Sequence, residues 1–376
     1  MPLPKEETPE FEQILNIFQH GTTEENARLA KELGYASRSS FEGRLREKGY
    51  HKIKPQIPTI PNLSKLEGKQ IEINLPPIKL REYKSSREAR GEKEIAILHT
   101  CDGHAGRITP SYNEDVYQSR MDTLFDSVMK IISLHRKMYD IDTLRILDLG
   151  DNVQGEEPEQ GGKVGNIKMG VRDQVTKLAF PTWIKLICSL KQEFKEVIFD
   201  GFPGNHGYER LAPETSRADI WFYDLLAAKL NTLKNITINI HENFGDIVYI
   251  EGFGCFCFHG DGIPSHQGVP FFAIDRRLKA WHMQYGGFNY AFGGHFHKHH
   301  SDEISSRLTY FMAGSLVSDD DWALKKIGIS SNPSQNIYGM HPRHGITWRY
   351  NLIVDNEFLP SEYKQGNKFE VDGQGR

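Results

Sequence analysis

From Glu94 onward, short apolar runs recur, each about one strand long and bounded by glycine or polar residues. They are EIAILHT (94–100), TLRILDLG (143–150), EVIFDG (196–201), GCFCFHG (254–260) and NYAFGG (289–294). Between the early ones lie two longer helical segments, EDVYQSRMDTLFDSVMKIISLHRKM (114–138) and VTKLAFPTWIKLICSLKQEF (175–194). Strands alternating with helices predict an α/β domain, residues 94–376, whose sheets are covered by helices. Late in the chain, HGITWRYNLIV (344–354) reads as a closing strand.

The N-terminal residues 1–54 have a different texture and read as short helices. Thr22 with Glu25 fits a capping box, after which ENARLAKELG runs as a helix to Gly34. Ser37 can cap a second helix, SRSSFEGRLREKG, and Ala30, Leu33, Phe41 and Leu45 have core spacing. Together, residues 29–45 resemble a helix-turn-helix. From Ser37 to Lys54, six basic residues (Arg38, Arg44, Arg46, Lys48, Lys52, Lys54) face two acidic ones, Glu42 and Glu47, a local charge of +4. That charge sits on the second helix and just beyond it, where phosphate contact requires it. A helical oligomerisation or protein-docking module is the rival reading. Residues 55–93, with PQIPTIP and the charged REYKSSREARGEK, read as a linker.

Composition narrows the class only a little. At 376 residues, 38% hydrophobic and 26% charged, the chain can bury a sizeable core. No apolar run approaches the roughly 18 residues of a membrane span, and the N-terminus lacks a signal-like apolar region. A cytoplasmic protein without membrane association is the expectation. The net charge of −4 gives no global attraction to nucleic acid, so any such binding must be local. Cys101, Cys188, Cys255 and Cys257 are too few for a disulfide framework and contain no CxxC pair. The spacing puts Cys255 and Cys257 on one face of a strand, as packing residues.

The candidate chemistry stands at the C-terminal end of each apolar run. The first ends in Asp102-Gly103-His104, the second in Gly150-Asp151-Asn152, the third in Gly204-Asn205-His206, the fourth in His259 and the fifth in His295-Phe296-His297. Open α/β sheets place their ligands at the C-terminal ends of strands. Carboxylate, imidazole and amide donors together suit manganese, iron or zinc better than magnesium. One aspartate can bridge two cations, and a cation pair can polarise a phosphoryl oxygen and acidify a shared water. If extended, His295 and His297 project to one side about 6.6 Å apart, so that each reaches one cation.

DGH, GDN, GNH, a lone His after a strand, and GHFH stand in the order of the calcineurin-like metallophosphoesterases, which the chain resembles over roughly 94–310. The resemblance implies a sandwich of two mixed β-sheets flanked by helices. It also implies two divalent cations, manganese first, with iron, zinc or magnesium as alternatives. Carried over by position, Asp102, His104 and His297 hold one cation, and Asn205, His259 and His295 the other, with Asp151 bridging. His206 is then the general acid and a metal-bridging hydroxide the nucleophile. His299 and His300 read as residues past the motif. Gln154 stands where purple acid phosphatases supply a tyrosine and near where break-repair nucleases carry a histidine. Gly207 replaces the acidic residue that commonly follows GNH and helps orient the histidine.

Two inserts offer substrate contacts: 155–174, with Lys163, Lys168 and Arg172, and 261–281, with Arg276, Arg277 and Lys279. Phe271, Phe272, Trp281 and Tyr285 read as core packing, and Asp319–Asp321 as a solvated turn. The combined expectation is a two-metal nuclease acting on single- or double-stranded DNA, positioned by Arg38, Arg44, Arg46, Lys48 and the basic loop. A phosphoesterase acting on a nucleotide-sized ester, its N-terminal module binding protein, is the runner-up, and a DNA-binding regulator with a vestigial site the third reading.

Overall fold

The computed structural model describes residues 8–20, 23–48, 50, 91–156, 167–207, 216–264, 270–318 and 332–355. Thr22, Lys52, Lys54, Lys163, the Asp319–Asp321 cluster and nearly all of the expected linker lie outside the described residues. The chain divides into two units, Met1–Glu72 and Ile73–Arg376.

The first unit is built from α1 (Pro9–His20), α2 (Thr23–Glu32) and α3 (Arg38–Glu47). Ser37 caps α3: its side chain accepts from the Ser40 N–H, and the Ser40 hydroxyl lies 3.1 Å from the Ser37 N–H. Gly34 adopts φ 76, the left-handed turn that lets the chain leave α2. Ala30, Phe41 and Leu45 are buried and Leu33 half-buried, as their spacing predicts. Phe11, Ile14 and Phe18 of α1 complete this small core.

The second unit contains two mixed sheets. In the first, the order is β11 (Gly345–Ile353), β10 (Ser334–His341), β1 (Lys93–Thr100), β2 (Asp140–Asp148), β3 (Glu196–Gly201), β4 (Ile236–Ile240). Strands β1 to β4 are parallel, while β10 and β11 add an antiparallel edge. The second sheet runs β5 (Gly245–Ile250), β6 (Phe253–Phe258), β7 (Tyr290–Gly293), β9 (Leu308–Met312), β8 (His300–Ser305). Here β6, β7 and β9 are parallel and the outer strands antiparallel.

Ile97, Leu147, Phe202, Cys255, Cys257, Phe292 and Tyr338 fill the space between the sheets. Helices α4 (Glu114–His135), α6 (Phe180–Glu193) and α7 (Ala218–Leu230) cover the outer face of the first sheet, and α8 (Phe271–Gln284) that of the second. The layers are therefore helix, sheet, sheet, helix. Both predicted long helices form, but the second is not uniform: Val171–Asp173 (α5) and a π-helical turn, Gln174–Ala179, precede α6, which carries Pro181 in its first turn. A first-turn proline needs no N–H of its own, so the helix restarts there without loss.

Candidate metal centre

Each of the five motifs sits just past its strand. Asp102 and His104 follow β1, Asp151 follows β2, Asn205 and His206 follow β3, His259 follows β6, and His295 and His297 follow β7. Three of these strands belong to one sheet and two to the other, so the sandwich brings its two halves of the ligand set together from opposite sheets.

The seven expected donors form two adjoining clusters. In one, His104 Nε2 lies 3.0 Å from His297 Nε2, and both ring nitrogens point at Asp102 Oδ1, at 3.6 and 3.4 Å. In the other, His259 Nε2 lies 2.9 Å from Asn205 Oδ1, 3.1 Å from Asp151 Oδ2 and 3.2 Å from His295 Nδ1. Donors bound to one cation at about 2.1 Å stand about 3.0 Å apart at right angles and about 3.4 Å apart in a tetrahedron. Both clusters show that spacing.

The backbone is bent to achieve it. Among the described residues seven non-glycines have positive φ, and five are Asp102 (54°), His104 (45°), Asp151 (56°), His295 (69°) and His297 (52°). Such conformations cost about 1–3 kcal/mol each and persist only where the surroundings enforce them. The extended geometry expected for His295 and His297 is therefore corrected. Both are left-handed, and they reach separate clusters through different ring atoms, Nδ1 and Nε2 respectively.

Hydrogen bonds fix the rings and carboxylates. The His259 Nδ1–H donates to the Leu149 carbonyl at 2.7 Å, which leaves Nε2 as the donor atom for a cation. The His295 N–H donates to Asp102 Oδ2 at 2.8 Å, and the His206 N–H to Asp151 Oδ1 at 2.7 Å. Asp102 Oδ1 itself is buried and accepts no hydrogen bond. A bare, buried carboxylate oxygen between two imidazoles is a place for positive charge.

Protonation agrees. Burial, with repulsion from His206, pushes His104 down to about 4, and burial with repulsion from His259 does the same to His295. Burial would raise Asp102, but His297 and His104 outweigh it and hold the carboxyl well below the usual range. Neutral imidazole and ionised carboxylate are the forms that bind metal. Burial also opposes a charged His259, yet the Asp151 carboxylate overrides it and lifts the ring to about 10, so this ring must give up its Nε2 proton when a cation binds. The donor atoms, by type and spacing, thus fit cations in both clusters.

Several contributors were not visible in the motifs. Asp219, buried in α7, accepts from three backbone N–H groups: Asp151 at 2.8 Å, Asn152 at 3.0 Å and Gly204 at 2.9 Å. Gln335 in β10 pairs with both the N–H and the carbonyl of Cys101, each at 2.9 Å. Ser315 donates to the Asp102 carbonyl. Gln174 clamps both polar groups of the Gly155 peptide linkages, tying the π-helical turn to the second motif. Cys101 Sγ approaches His259, but burial raises the thiol far above its ordinary range, so it stays protonated.

The remaining expectations divide. His299 bonds Asn336 at 2.8 Å and His300 stacks on Phe271 at 4.0 Å; neither joins a cluster. Trp281 packs on Phe256 and Phe258, whereas Phe272 is exposed, contrary to its expected place in the core. Cys255 and Cys257 are buried free thiols. Lys168 and Arg172 are exposed. On α3, Arg38 and Arg46 both pair with Glu42, at 3.7 and 3.3 Å, Arg44 pairs with Glu47 at 3.1 Å, and Lys48 lies 5.9 Å over the Phe11 ring. Among the described residues no helix is long and apolar enough to cross a membrane.

The chain matches no known family profile and no curated protein. Solved structures similar to it include vacuolar protein sorting 29 from Cryptosporidium parvum, at 11% identity over 66% of this chain and 87% of that one, TM-score 0.32. Others are a 5'-nucleotidase from Candida albicans (12% identity, 76% and 56% covered, TM-score 0.34) and an archaeal phosphodiesterase (13%, 68% and 99%, TM-score 0.29). The chain itself has two mixed sheets flanked by helices, with the motif side chains meeting past the strand ends, which is the architecture expected from the resemblance of its ordered motifs.

Proposed function

We propose that the chain is a metal-dependent phosphodiesterase holding two divalent cations, manganese by preference, and that its substrate is DNA. One observation carries the hydrolytic reading: donor atoms from five strand ends form two adjoining clusters at coordination spacing. Bound there, the cation pair supplies Lewis-acid polarisation of a phosphoryl oxygen and lowers the pKa of water. Asp102, His104 and His297 would hold one cation and Asn205, His259 and His295 the other, with Asp151 shared between them. His206 is not needed as a ligand. Its Nε2 lies 3.9 Å from Asp151 Oδ2, beside both clusters, where it can hand a proton to the departing oxygen.

The nucleic-acid reading is supported by a capped helix bearing Arg38, Arg44 and Arg46, with Lys48 behind it, and by exposed Lys168 and Arg172 near the second motif. A specific observation favours the second reading, a small phosphoester substrate: all three α3 arginines already pair with glutamates of their own helix. Of these, only Arg44–Glu47 is exposed at both partners, worth under about 1 kcal/mol and readily given up to phosphate, whereas Arg38 and Arg46 share the buried Glu42 carboxylate. Purified protein is incubated with a series of divalent metals and labelled single- and double-stranded oligonucleotides. Metal-dependent cutting, abolished by Asp151→Ala and slowed about 10²–10⁴-fold by His206→Ala, is the expected result. Hydrolysis of a small diester without cutting of the polymer establishes the second reading, and DNA binding without hydrolysis under any metal rejects both.

A further inference from the structure

Arg107 lies three residues past the ligand His104 and is 4% exposed. Its N–H donates to the His104 carbonyl at 3.0 Å, and its guanidinium Nη1 donates to Gln154 Oε1 at 3.1 Å. A guanidinium has donors only, so the amide oxygen must be the atom facing it. The Gln154 NH₂ is thereby turned to the opposite side, onto His206 Nδ1 at 3.3 Å. The Gln154 backbone carbonyl reaches the same nitrogen at 2.9 Å, and the Gln154 N–H is anchored on the Ala105 carbonyl at 3.1 Å. Gln154 thus presents an acceptor and a donor to Nδ1, and engages that nitrogen in either tautomer. The His104 ring packs edge-on against the His206 ring with centroids 4.5 Å apart. With Nδ1 engaged and the ring face covered, Nε2 is the atom left facing Asp151.

Position 207, next along the chain from His206, offers the ring no side chain of its own. Gly207 has φ 67, and a Cβ there would lie 2.5 Å from the Ala218 Cβ, so the position has no room for a side chain. We propose that Arg107 is a positioning residue that works through Gln154 to set the His206 ring, with Nε2 aimed at the oxygen leaving the substrate. The proposal rests on the general-acid reading of His206. As a hydroxide oxygen bonds to phosphorus, the bond to the leaving oxygen breaks and its electron pair stays on that oxygen, which takes the Nε2 proton. The ring is left neutral, its Nδ1–H on the Gln154 carbonyl, and takes its next proton from the water that becomes the next hydroxide.

The test uses full-length protein with Mn²⁺, the variants Arg107→Met and Arg107→Lys, and two diesters. Bis(4-nitrophenyl) phosphate expels a leaving group that needs no proton, whereas thymidylyl-thymidine expels a sugar oxygen that does. Arg107→Met is expected to lose about 30-fold or more on the dinucleotide and less than about threefold on the nitrophenyl ester, with Arg107→Lys recovering most of the loss. Equal loss on both esters, or no loss on the dinucleotide, overturns the proposal. A metal-free readout stands beside it: the His206 ring ¹⁵N and ¹H resonances should shift in Arg107→Met, and unchanged resonances overturn the proposal too. Should Arg107→Met fail to fold, Gln154→Leu, which removes the amide acceptor but keeps the backbone carbonyl, takes its place on the same two esters. A wild-type protein inert on both diesters with every metal refutes the phosphodiesterase reading itself, and the ring resonances then decide the role of Arg107 alone.

Discussion

Asp219 supplies no donor atom to either cluster, yet its carboxylate gathers three N–H groups from two separate motif loops. Asp219→Asn leaves at least one of those donors facing an amide NH₂. Isothermal titration with Mn²⁺ should show metal affinity reduced about 10–100-fold. Urea unfolding should show a stability loss of about 2–4 kcal/mol, since buried N–H groups without acceptors keep their full desolvation cost. Unchanged affinity would mean that Asp219 does not shape the centre. Near the C-terminal end of β1, His99 is buried between Phe292 and Tyr338, and burial holds its pKa down to about 3 against the ordinary 6.5. A depressed folded-state value means that its neutral form stabilises the fold above pH 6.5, and that this contribution is lost as pH falls toward about 3. His99→Leu should flatten the fall of unfolding free energy over that window, measured by urea melts at successive pH values. A slope equal to wild type would contradict the burial argument.

Elements set the donors' directions. The loops after β2 and β3 run so close that a Cβ on Gly204 would stand 2.0 Å from Asp151 Oδ1. Gly204→Ala should therefore displace the Asp151 carboxylate, with the proposed metal-dependent hydrolysis lost and stability lowered by about 1–3 kcal/mol. Far-UV circular dichroism should keep its native shape, because the strands themselves are untouched; full activity in this variant would refute the close approach. At this scale much is legible in the sequence. The runs 94–100, 143–150, 196–201, 254–260 and 289–294 form β1, β2, β3, β6 and β7 within a few residues, since period and length alone mark a buried strand. Strands β4, β5, β8, β9 and β10 escape that reading. ITINI and GDIVYI are short or sit at sheet edges, and SQNIYGMH carries Ser334, Gln335 and Asn336 into full burial, where a local pattern reads polar and exposed.

For the whole molecule, the proposal assigns the first unit to holding DNA. If it holds DNA, deleting residues 1–80 should weaken oligonucleotide affinity and lower its salt dependence, while hydrolysis of a small diester persists. Fluorescence anisotropy at several salt concentrations reads the first effect and a nitrophenyl assay the second. Affinity and salt slope equal to the full chain would assign this unit to another task. The sequence alone determined the class of chemistry and its order along the chain: aspartate, histidine and asparagine after successive apolar runs, glycine where a loop must turn, and an N-terminal segment patterned for helices. These are properties of neighbouring residues, and neighbours are what a linear pattern encodes. Tertiary structure decided the rest: the division of five motif strands between two sheets, the left-handed backbone of Asp102, His104, Asp151, His295 and His297, and the support given by Asp219, Gln335 and Arg107. Those features depend on which distant segments meet, and that depends on how sheets pack and how buried polar groups find partners, not on the spacing of residues along one run.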